Sequence, residues 1–390
     1  MPNTTIIIPT YWGWPGGHPP QANDAIFDHP TPLDGESTLP RLLESLRHQK
    51  QKGFNVLVIS AAVNAQLNKQ VEEKVTQLIA PFKSDYPIAQ FSAKDLAVLR
   101  QRVEALKFDP ALVGLDNYSN IRNIQLIIPH IMGAEIIIAV DDDEVVDPNY
   151  TRQASTFAGR KWEGESVSGV AGIYLDAAGE WHLPEKPSTG NLFTDKPAIM
   201  NEGARLLMEK RQPLAKSPMS YGGNMVFHRD LFTNICFDPG ITRGEDIDYL
   251  INAHLGGYAF WFDKALTITH LPPEAHQTSP YTKLREDVIR FIYEREKLRQ
   301  ANIEPALFNP YPGRFLDGNL ESHALLALEE AVTPEDAARL GSPLEVLEHA
   351  KAHTKKYLPR YFEFREIWPQ LMNALKDDDV LRELVARKFQ

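Results

Sequence analysis

The stretch Ile136–Tyr150, IIIAVDDDEVVDPNY, decides the fold, because its apolar run ends abruptly in four adjacent acids. Short all-apolar runs are typical of strands buried on both faces of a parallel sheet. Such a strand carries its last residues to the carboxyl edge of the sheet, where ligands of open α/β folds bind. Adjacent acids repel one another, and Mg²⁺ relieves that repulsion with one or two carboxylates and phosphate oxygens as ligands. The stretch therefore favours a metal–diphosphate site, and the alternative is a solvated acidic turn after a core strand.

The segments around this strand predict an alternation of strands and helices. Isoleucines recur at helical spacing over 117–133 and predict a helix with Ser119 or Asn120 as its cap. Arg122 and Asn123 then fall near its start. At the other end of the chain, TTIIIP over Thr4–Pro9 predicts a second buried strand. Alternation of this kind is typical of a parallel sheet with helices on its faces.

In their order along the chain, these segments resemble a GT-A glycosyltransferase of the broad family 2 type. In that family a first strand ends in a Pro-Thr-Tyr-like turn, and a helix with Arg-Asn precedes a strand that ends in Asp-x-Asp. A Pro-x-Tyr follows shortly after. The matching residues here are Pro9, Thr10, Tyr11, Arg122, Asn123, Asp141, Asp142, Asp143, Pro148 and Tyr150.

The second half of the chain continues the resemblance. The segment 221–227, with Gly222, Gly223 and Asn224, looks like the Gly-rich segment that lies beside the donor sugar. The segment 243–249, RGEDIDY, opens a predicted helix that runs through 255. Acids in a first helical turn are also favoured by the helix dipole, so a capping role is the alternative for Glu245 and Asp246.

The resemblance implies a role for each of these residues. In inverting members the aspartate of such a Glu-Asp pair, here Asp246, is the general base that takes the acceptor proton. Asp143 and His270, which ends the run ALTITH, would hold Mn²⁺ or Mg²⁺ against the diphosphate, although a lone His at a strand end is more often structural. Asp141 would meet hydroxyls of a UDP- or GDP-linked sugar. Arg122 would assist the phosphates, with a helix-capping salt bridge as the alternative.

Two features depart from the family pattern. Members often carry an acid just after the second strand, where it contacts the nucleotide base, but the run 55–60 ends here in Ser60 and is followed by AAVN. The usual base contact is therefore absent or replaced. The segment 11–36 is also long and rich in Pro, Gly and aromatic residues, which predicts an ordered loop near the cleft or a surface insertion.

Composition restricts the classes of protein that fit. The chain has 390 residues and a net charge of −11, which argues against nucleic acid or an anionic membrane as the main partner. Cys236 is the only cysteine, so an intrachain disulfide is impossible. No apolar stretch reaches the roughly 20 residues that a membrane span needs, and no basic-plus-apolar leader opens the chain. We therefore expect a soluble, cytoplasmic transferase that can form a homo-oligomer.

The predicted fold class is α/β, with a mostly parallel sheet, helices on both faces and a C-terminal helical extension. The predicted GT-A catalytic domain spans 1–272, with a nucleotide-sugar-binding half at 1–145 and an acceptor half at 146–272. The extension spans 273–390. A hairpin is predicted over 166–183, and helices over 37–50, 66–80, 93–106, 200–211, 279–300, 319–332, 334–340, 343–357 and 366–388.

The predicted function is metal-assisted transfer of a hexose, with inversion favoured slightly over retention. A retaining enzyme that glycosylates a glycerate-type molecule is one alternative. A sugar-1-phosphate nucleotidyltransferase is another, but residues 10–17 lack the Lys or Arg that would hold a triphosphate. A non-catalytic sugar- or nucleotide-binding protein would need no acids at strand ends. The segment 184–220 predicts an acceptor flap whose basic residues meet an anion, or a solvated face of mixed charge: Arg205, Lys210, Arg211 and Lys216.

Overall fold

The structure is a computed structural model that describes residues 3–16, 21, 23–273 and 279–389. Its strands are β1 (Thr4–Gly13), β2 (Thr31–Pro32), β3 (Phe54–Ala62), β4 (Ile88–Phe91), β5 (Ile136–Ala139), β6 (Glu144–Val146), β7 (Lys161–Trp162), β8 (Glu165–Ser166), β9 (Gly169–Leu175), β10 (Leu214–Lys216), β11 (Met225–His228) and β12 (Phe260–His270). Its helices are α1 (Leu39–Arg47), α2 (Asn68–Ile79), α3 (Ala93–Ala105), α4 (Tyr118–Ile131), α5 (Tyr150–Ala154), α6 (Lys196–Met208), α7 (Arg229–Phe232), α8 (Glu245–Leu255), α9 (Pro280–Ala301), α10 (Leu320–Ala331), α11 (Pro334–Leu340), α12 (Pro343–Lys376) and α13 (Asp379–Lys388).

One mixed, mostly parallel sheet forms the centre of the molecule, in the order β4-β3-β1-β5-β11-β9-β12-β10. β1 is parallel to β3 and β5, and β3 is parallel to β4. β11 is antiparallel to both of its neighbours, while β12 returns parallel to β9. β1 and β5 are buried along their whole length, as the apolar runs predict. The predicted α/β class with flanking helices and a helical C-terminal region is confirmed.

The cap of α4 differs from the prediction. Asn117 has an extended backbone, and its side-chain oxygen accepts a hydrogen bond from the Asn120 amide at 2.8 Å. Ser119 and Asn120 already lie inside the helix, and the Ser119 hydroxyl donates to the Ile241 carbonyl at 2.6 Å. The predicted cap at Ser119 or Asn120 is therefore wrong by two or three residues.

The predicted hairpin over 166–183 is also wrong. The turn at 176–179 forms, with the Gly179 amide donating to the Asp176 carbonyl at 3.0 Å. However, β12 pairs with β9 as far as Leu175, so one edge of β9 is already taken where the hairpin would form, and β11 pairs with Gly169–Ala171 on the other edge. Residues 180–183 form no strand.

At the C-terminus, the single helix α12 replaces the predicted helix 343–357 and the first part of the predicted helix 366–388. α12 runs for 34 residues through Pro359 and Pro369, and α13 follows. A proline inside a helix removes a backbone hydrogen bond, so the sequence favoured a break. The continuous buried side of α12, which includes Tyr361, Phe364 and Trp368, packs into the main core and compensates for that loss.

The helical C-terminal region shares a hydrophobic core with the residues that precede it. Phe291 and Phe315 pack in one cluster with Ile173 and Phe262, across the predicted boundary at 272. Of the long loop 11–36, residues 17–20 and 22 lie outside the described residues. Phe27 of that loop is buried against Tyr11. Across the described ranges, no helix combines the length and apolar character that crossing a membrane requires.

Candidate active site

A cleft of about 360 Å³ opens at the carboxyl edge of the sheet beside β1 and β5. From β1 the sheet continues to β3 and β4 on one side, and from β5 it continues to β11 and β9 on the other. Ligands of open α/β sheets bind where the strand order reverses in this way. Most of the predicted site residues line the cleft: Tyr11, Arg122, Asp141, Asp142, Asp143, Gly222, Glu245, Asp246 and His270. Pro9, Thr10, Gly223 and Asn224 do not line it. They lie behind its walls.

The four acids after β5 divide into two pairs with different surroundings. Asp142 and Glu144 turn inward, where Asp142 accepts a hydrogen bond from the Thr10 hydroxyl at 2.6 Å and Glu144 accepts one from the Asp141 amide at 2.9 Å. Burial, together with the neighbouring acids, raises the pKa of both carboxyls well above the usual range. Asp141 and Asp143 instead have ionisable partners in the cleft: Asp141, which is 23% exposed, binds Arg122, and Asp143, which is as buried as Asp142, lies against His270. The acidic turn is therefore neither fully solvated nor uniform.

Asp143 and His270 meet because β6 pairs with the end of β12. In that antiparallel register Glu144 lies opposite His270, and the Leu271 amide donates to the Asp143 carbonyl at 2.8 Å. The Asp143 Oδ2 and His270 Nε2 atoms are then 3.3 Å apart. Burial lowers the pKa of His270, but the hydrogen bond and charge of Asp143 outweigh burial and leave that pKa above its usual value. The two predicted metal ligands are therefore neighbours.

Arg122 connects the acidic turn with the start of α8. Its guanidinium binds Asp141 through two hydrogen bonds of 2.9 and 3.1 Å, and its Nε donates to Glu245 at 3.0 Å. Gly222 packs against the same group, because a Cβ there would lie 2.8 Å from Arg122 Nη2. Arg122 thus makes a buried salt bridge, and it is not a helix cap. Asp141 is engaged by an arginine of its own chain.

Asp246 differs from its neighbour Glu245. Glu245 is buried and paired with Arg122, whereas Asp246 is only partly buried at the cleft surface. Burial and the charge of Glu245 raise the pKa of Asp246 to about 6, while Arg290 and Arg122 oppose that rise. A carboxylate with a pKa this close to neutrality suits general-base chemistry.

The Gly-rich segment brings backbone, rather than its asparagine, toward the cleft. Asn224 is fully buried and bonds Tyr150, Ile173 and Leu266 through its side-chain amide. A Cβ at Gly223 would lie 2.0 Å from Glu144 Oε1, so only glycine fits at that position. These two residues support the acidic turn from behind.

Aromatic rings form two parts of the cleft. Of these rings, only Tyr11 was named as a site residue from the sequence. Tyr11 and Tyr118 pack edge to face with ring centroids 5.0 Å apart. Tyr174 stacks on His270 at 5.0 Å and lies 4.7 Å from Tyr221. Tyr174 sits in an apolar strand, and nothing in its local sequence distinguishes it from a core residue.

A charged wall of the cleft was also missed. Lys196, Arg243 and Arg290 all line the cleft and all bind Asp287. Arg243 stood in the quoted segment RGEDIDY, so the sequence did carry a signal for it. The basic residues that were considered instead are exposed and do not line the cleft: Arg205, Lys210, Arg211 and Lys216. Among those four, the solvated mixed face is the correct interpretation.

No protein-family model and no curated protein matches this chain. Among solved structures, the chain is similar to a mannosyltransferase from Pyrobaculum calidifontis in complex with GDP-Man and Mn²⁺, at 14% identity and a TM-score of 0.42, over 98% of this chain and 86% of that one. It is also similar to TarS 1-349 of S. aureus in complex with UDP-GlcNAc, at 15% identity and a TM-score of 0.40, over 94% and 92% of the two chains. GalNAc-T7 with UDP, GalNAc and Mn²⁺ is similar at 11% identity and a TM-score of 0.37, over 89% and 58%. These likenesses are distant, and the functional assignment rests on the side chains of the cleft.

Proposed function

We propose that this chain is a metal-assisted glycosyltransferase that moves a hexose from a nucleotide-diphosphate sugar to a hydroxyl acceptor. One observation carries the proposal. The carboxylate–imidazole pair Asp143–His270 and the carboxyl of Asp246, whose pKa is about 6, line the same cleft at the carboxyl edge of the sheet. A site for a cation and a poised base are the two groups that a transfer from a diphosphate donor to a hydroxyl needs.

The donor atoms of Asp143 and His270 fit Mn²⁺ better than Mg²⁺, because Mg²⁺ prefers oxygen ligands and one of the two donors is an imidazole nitrogen. A carboxylate oxygen and an imidazole nitrogen 3.3 Å apart can bind one ion once His270 is neutral. No group of three or more His, Cys, Asp or Glu that could hold a metal is found in the described part of the chain. A site with few protein ligands, completed by phosphate oxygens, is typical of these ions at nucleotide sites. When bound, the ion would neutralise charge on the leaving nucleoside diphosphate.

The other residues of the cleft bind the donor, hold side chains in position or accept a proton. Asp246 accepts the proton of the acceptor hydroxyl, which favours an inverting reaction over a retaining one. Arg122 holds Asp141 and Glu245 in fixed positions on either side of the donor, so these three are positioning residues. Tyr11 and the backbone at Gly222 provide the surface on which the donor lies.

A thermal-shift panel tests this assignment. UDP, GDP and their sugars are added with and without Mn²⁺ to wild type and to Asp143→Asn. At a hundred times its dissociation constant a ligand adds about 2.7 kcal/mol to the free energy of unfolding. We expect a Mn²⁺-dependent stabilisation by one nucleotide family in wild type, and none in the variant.

Asp147→Asn is the matched control, because Asp147 is exposed and not among the cleft-lining residues. Its Oδ1 accepts from the Asn149 amide, which an asparagine oxygen can also do. This variant should respond to nucleotide as wild type does. The absence of any nucleotide response in wild type, or an equal response in Asp143→Asn, would contradict the assignment of the donor site.

A further inference from the structure

Three cations in the cleft converge on one carboxylate. Asp287 binds Lys196 Nζ at 2.6 Å, Arg243 Nη1 at 2.8 Å and Arg290 Nη2 at 3.3 Å. Arg243 also binds Asp28 at 3.1 Å, and Arg290 donates to the Tyr311 hydroxyl at 2.7 Å. We call Lys196, Arg243 and Arg290 the cationic wall.

The cationic wall is a product of tertiary structure. Lys196 begins α6, Arg243 precedes α8 and Arg290 lies in the middle of α9. Its side chains are largely withdrawn from water, with exposed fractions of 19% for Lys196, 21% for Arg243 and 3% for Arg290. Charged side chains are costly to bury unless they are paired, and in the described part of the chain these three cations share only Asp287 and Asp28 as ion-pair partners within 3.5 Å.

The carboxylates around the wall are Asp28 and Asp287, with Asp246 close enough that the charge of Arg290 lowers its pKa. When Asp246 holds a proton, only Asp28 and Asp287 are left to face the three cations. Glu294 lies 3.9 Å from Arg290, but burial raises its pKa to about 8, so it is largely protonated at neutral pH. Burial also lowers the pKa of Lys196 to about 8; Asp287 opposes this shift, while Arg243 and Arg290 add to it. Burial and the two arginines therefore disfavour the charged form of Lys196, and an additional anion beside it would stabilise that form.

The wall lies directly beside the proposed base. Arg290 Nη1 donates to the Gly244 carbonyl at 3.3 Å, two residues before Asp246. Gly244 has φ of +75°, and a Cβ there would lie 2.2 Å from Arg290 Nη1, so the guanidinium packs on this stretch of backbone. Asp246 and all three cations line the same cleft. Asp143 lies in the turn before β6 and His270 at the end of β12, and neither has an ion pair with the three cations.

We propose that the cationic wall binds an anionic group of the acceptor, a carboxylate or a phosphate, and so presents the neighbouring acceptor hydroxyl to Asp246. This inference rests on the proposed function, because it assigns the diphosphate of the donor to Asp143 and His270. It narrows the acceptor to small hydroxyl compounds that carry a negative charge close to the hydroxyl.

Calorimetric titration tests the inference with three matched probes: glycerol, glycerate and glycerol phosphate. Each is added to the protein in the presence of Mn²⁺ and a saturating amount of the nucleotide that stabilises it. We expect an anionic probe to bind while nucleotide is present, and glycerol not to bind. Lys196→Gln should weaken that binding by roughly tenfold or more, the loss expected for one charge-assisted hydrogen bond. Whichever of glycerate and glycerol phosphate binds more tightly identifies the anion as carboxylate or phosphate.

Two further variants separate binding from folding. Lys196→Arg keeps the charge and should retain most of the affinity, and Lys216→Gln removes an exposed lysine that pairs with Glu165 outside the cleft and should change nothing. Equal affinity in Lys196→Gln and wild type, no binding of any anion to wild type, or displacement of the anion by nucleotide would overturn the inference. If no nucleotide binds at all, the proposed function fails instead, and that result is visible in the nucleotide titration alone.

Discussion

At the scale of single residues, neighbouring acids in this chain have different partners and therefore different chemistry. Glu245 is paired with Arg122, and Asp248 with the fully buried Lys297. Asp246, between them, has no ion pair among the described residues. Burial and the charge of Glu245 leave it with a pKa of about 6. It lines the cleft, whereas Asp248 is fully buried, so it is the member of this group that can exchange a proton with a bound molecule.

Asp246→Asn should lower kcat by roughly 100- to 10,000-fold, the range that a positioned general base contributes. Asparagine has nearly the same shape but cannot accept the proton. Thermal stability should not fall, since the substitution removes a carboxylate whose ionisation burial disfavours. A transferase assay beside a thermal melt checks both statements. Wild-type activity in a correctly folded variant would contradict the role of Asp246.

The pH dependence of wild-type activity should report the ionisation of Asp246. A raised pKa means that Asp246 is protonated, and inactive as a base, below about pH 6. The value of kcat/KM should therefore rise with pH through about 6 and level off above it. At saturating Mn²⁺, which keeps His270 neutral, this acidic limb should be absent from the residual activity of Asp246→Asn. A profile that is flat between pH 5 and 8 in wild type would be incompatible with this assignment.

The sequence located residues that line the cleft better than it predicted the partners of those residues. Asp141, Asp143, Asp246 and His270 lie at strand and helix ends, and that placement is a local property of the chain. Lys196 meets Asp287 across 91 positions, and such a pairing depends on how α6 and α9 pack. No local signal predicted that Asp141 would be engaged by Arg122 in place of a ligand.

At the scale of elements, α9 carries charged groups into the interior. Lys297 is fully buried and binds Asp238 Oδ2 at 2.7 Å and Asp248 Oδ1 at 2.6 Å, with the Tyr361 ring 4.1 Å from its Nζ. This cluster joins α9 to α8 and to α12. Burial raises the pKa of Asp248 to about 6, while Lys297 opposes that rise.

Lys297→Met should destabilise the fold by about 3–5 kcal/mol, because it leaves two buried carboxyls without their cation. The loss should be larger at pH 8 than at pH 5. Asp248 already has a raised pKa, and without Lys297 it becomes still harder to ionise, so stability falls as pH rises through that value. Urea unfolding at the two pH values measures the difference.

Lys351→Met provides the control, since Lys351 is half exposed and pairs with Glu348 on the surface. That change should alter stability by less than about 1 kcal/mol. In Lys297→Met, a second substitution, Asp248→Asn, should recover part of the loss. An equal loss at both pH values would argue that packing, rather than charge, explains the effect.

Helices and strands were predicted well where a local sequence pattern determines them. They were predicted poorly where contacts with other strands or with the core determine them. β1, β5 and α9 follow from apolar runs and helical spacing. The fate of residues 180–183 depended on whether β9 had a free edge, and the continuity of α12 depended on a core that outweighs Pro359. Neither condition can be read from the residues themselves.

At the scale of the whole molecule, the C-terminal helices contribute to the candidate site and to the core of the preceding 272 residues. Arg290 of α9 lines the cleft, and Trp368 of α12 is fully buried and donates to the Phe232 carbonyl at 3.0 Å. α9 and α12 also cover apolar residues from the first 272 positions.

A chain that ends at residue 273 should therefore fail to fold cooperatively. Without α9 and α12 it would expose much of both hydrophobic clusters to water, and apolar burial is the main favourable term in folding. Near-ultraviolet circular dichroism and urea unfolding check this expectation. A cooperative transition with retained nucleotide binding in the shortened chain would show that residues 1–273 are an independent domain.

Arg122, finally, contacts the acidic turn and the start of α8 with one rigid, planar group. Its two contacts with Asp141 and its contact with Glu245 place the residue before Asp246 within reach of any movement at the acidic turn. A ligand at the acidic turn and a ligand beside Asp246 are therefore expected to influence each other's binding. Because coupling between two ligands is reciprocal, each should tighten the binding of the other by the same factor.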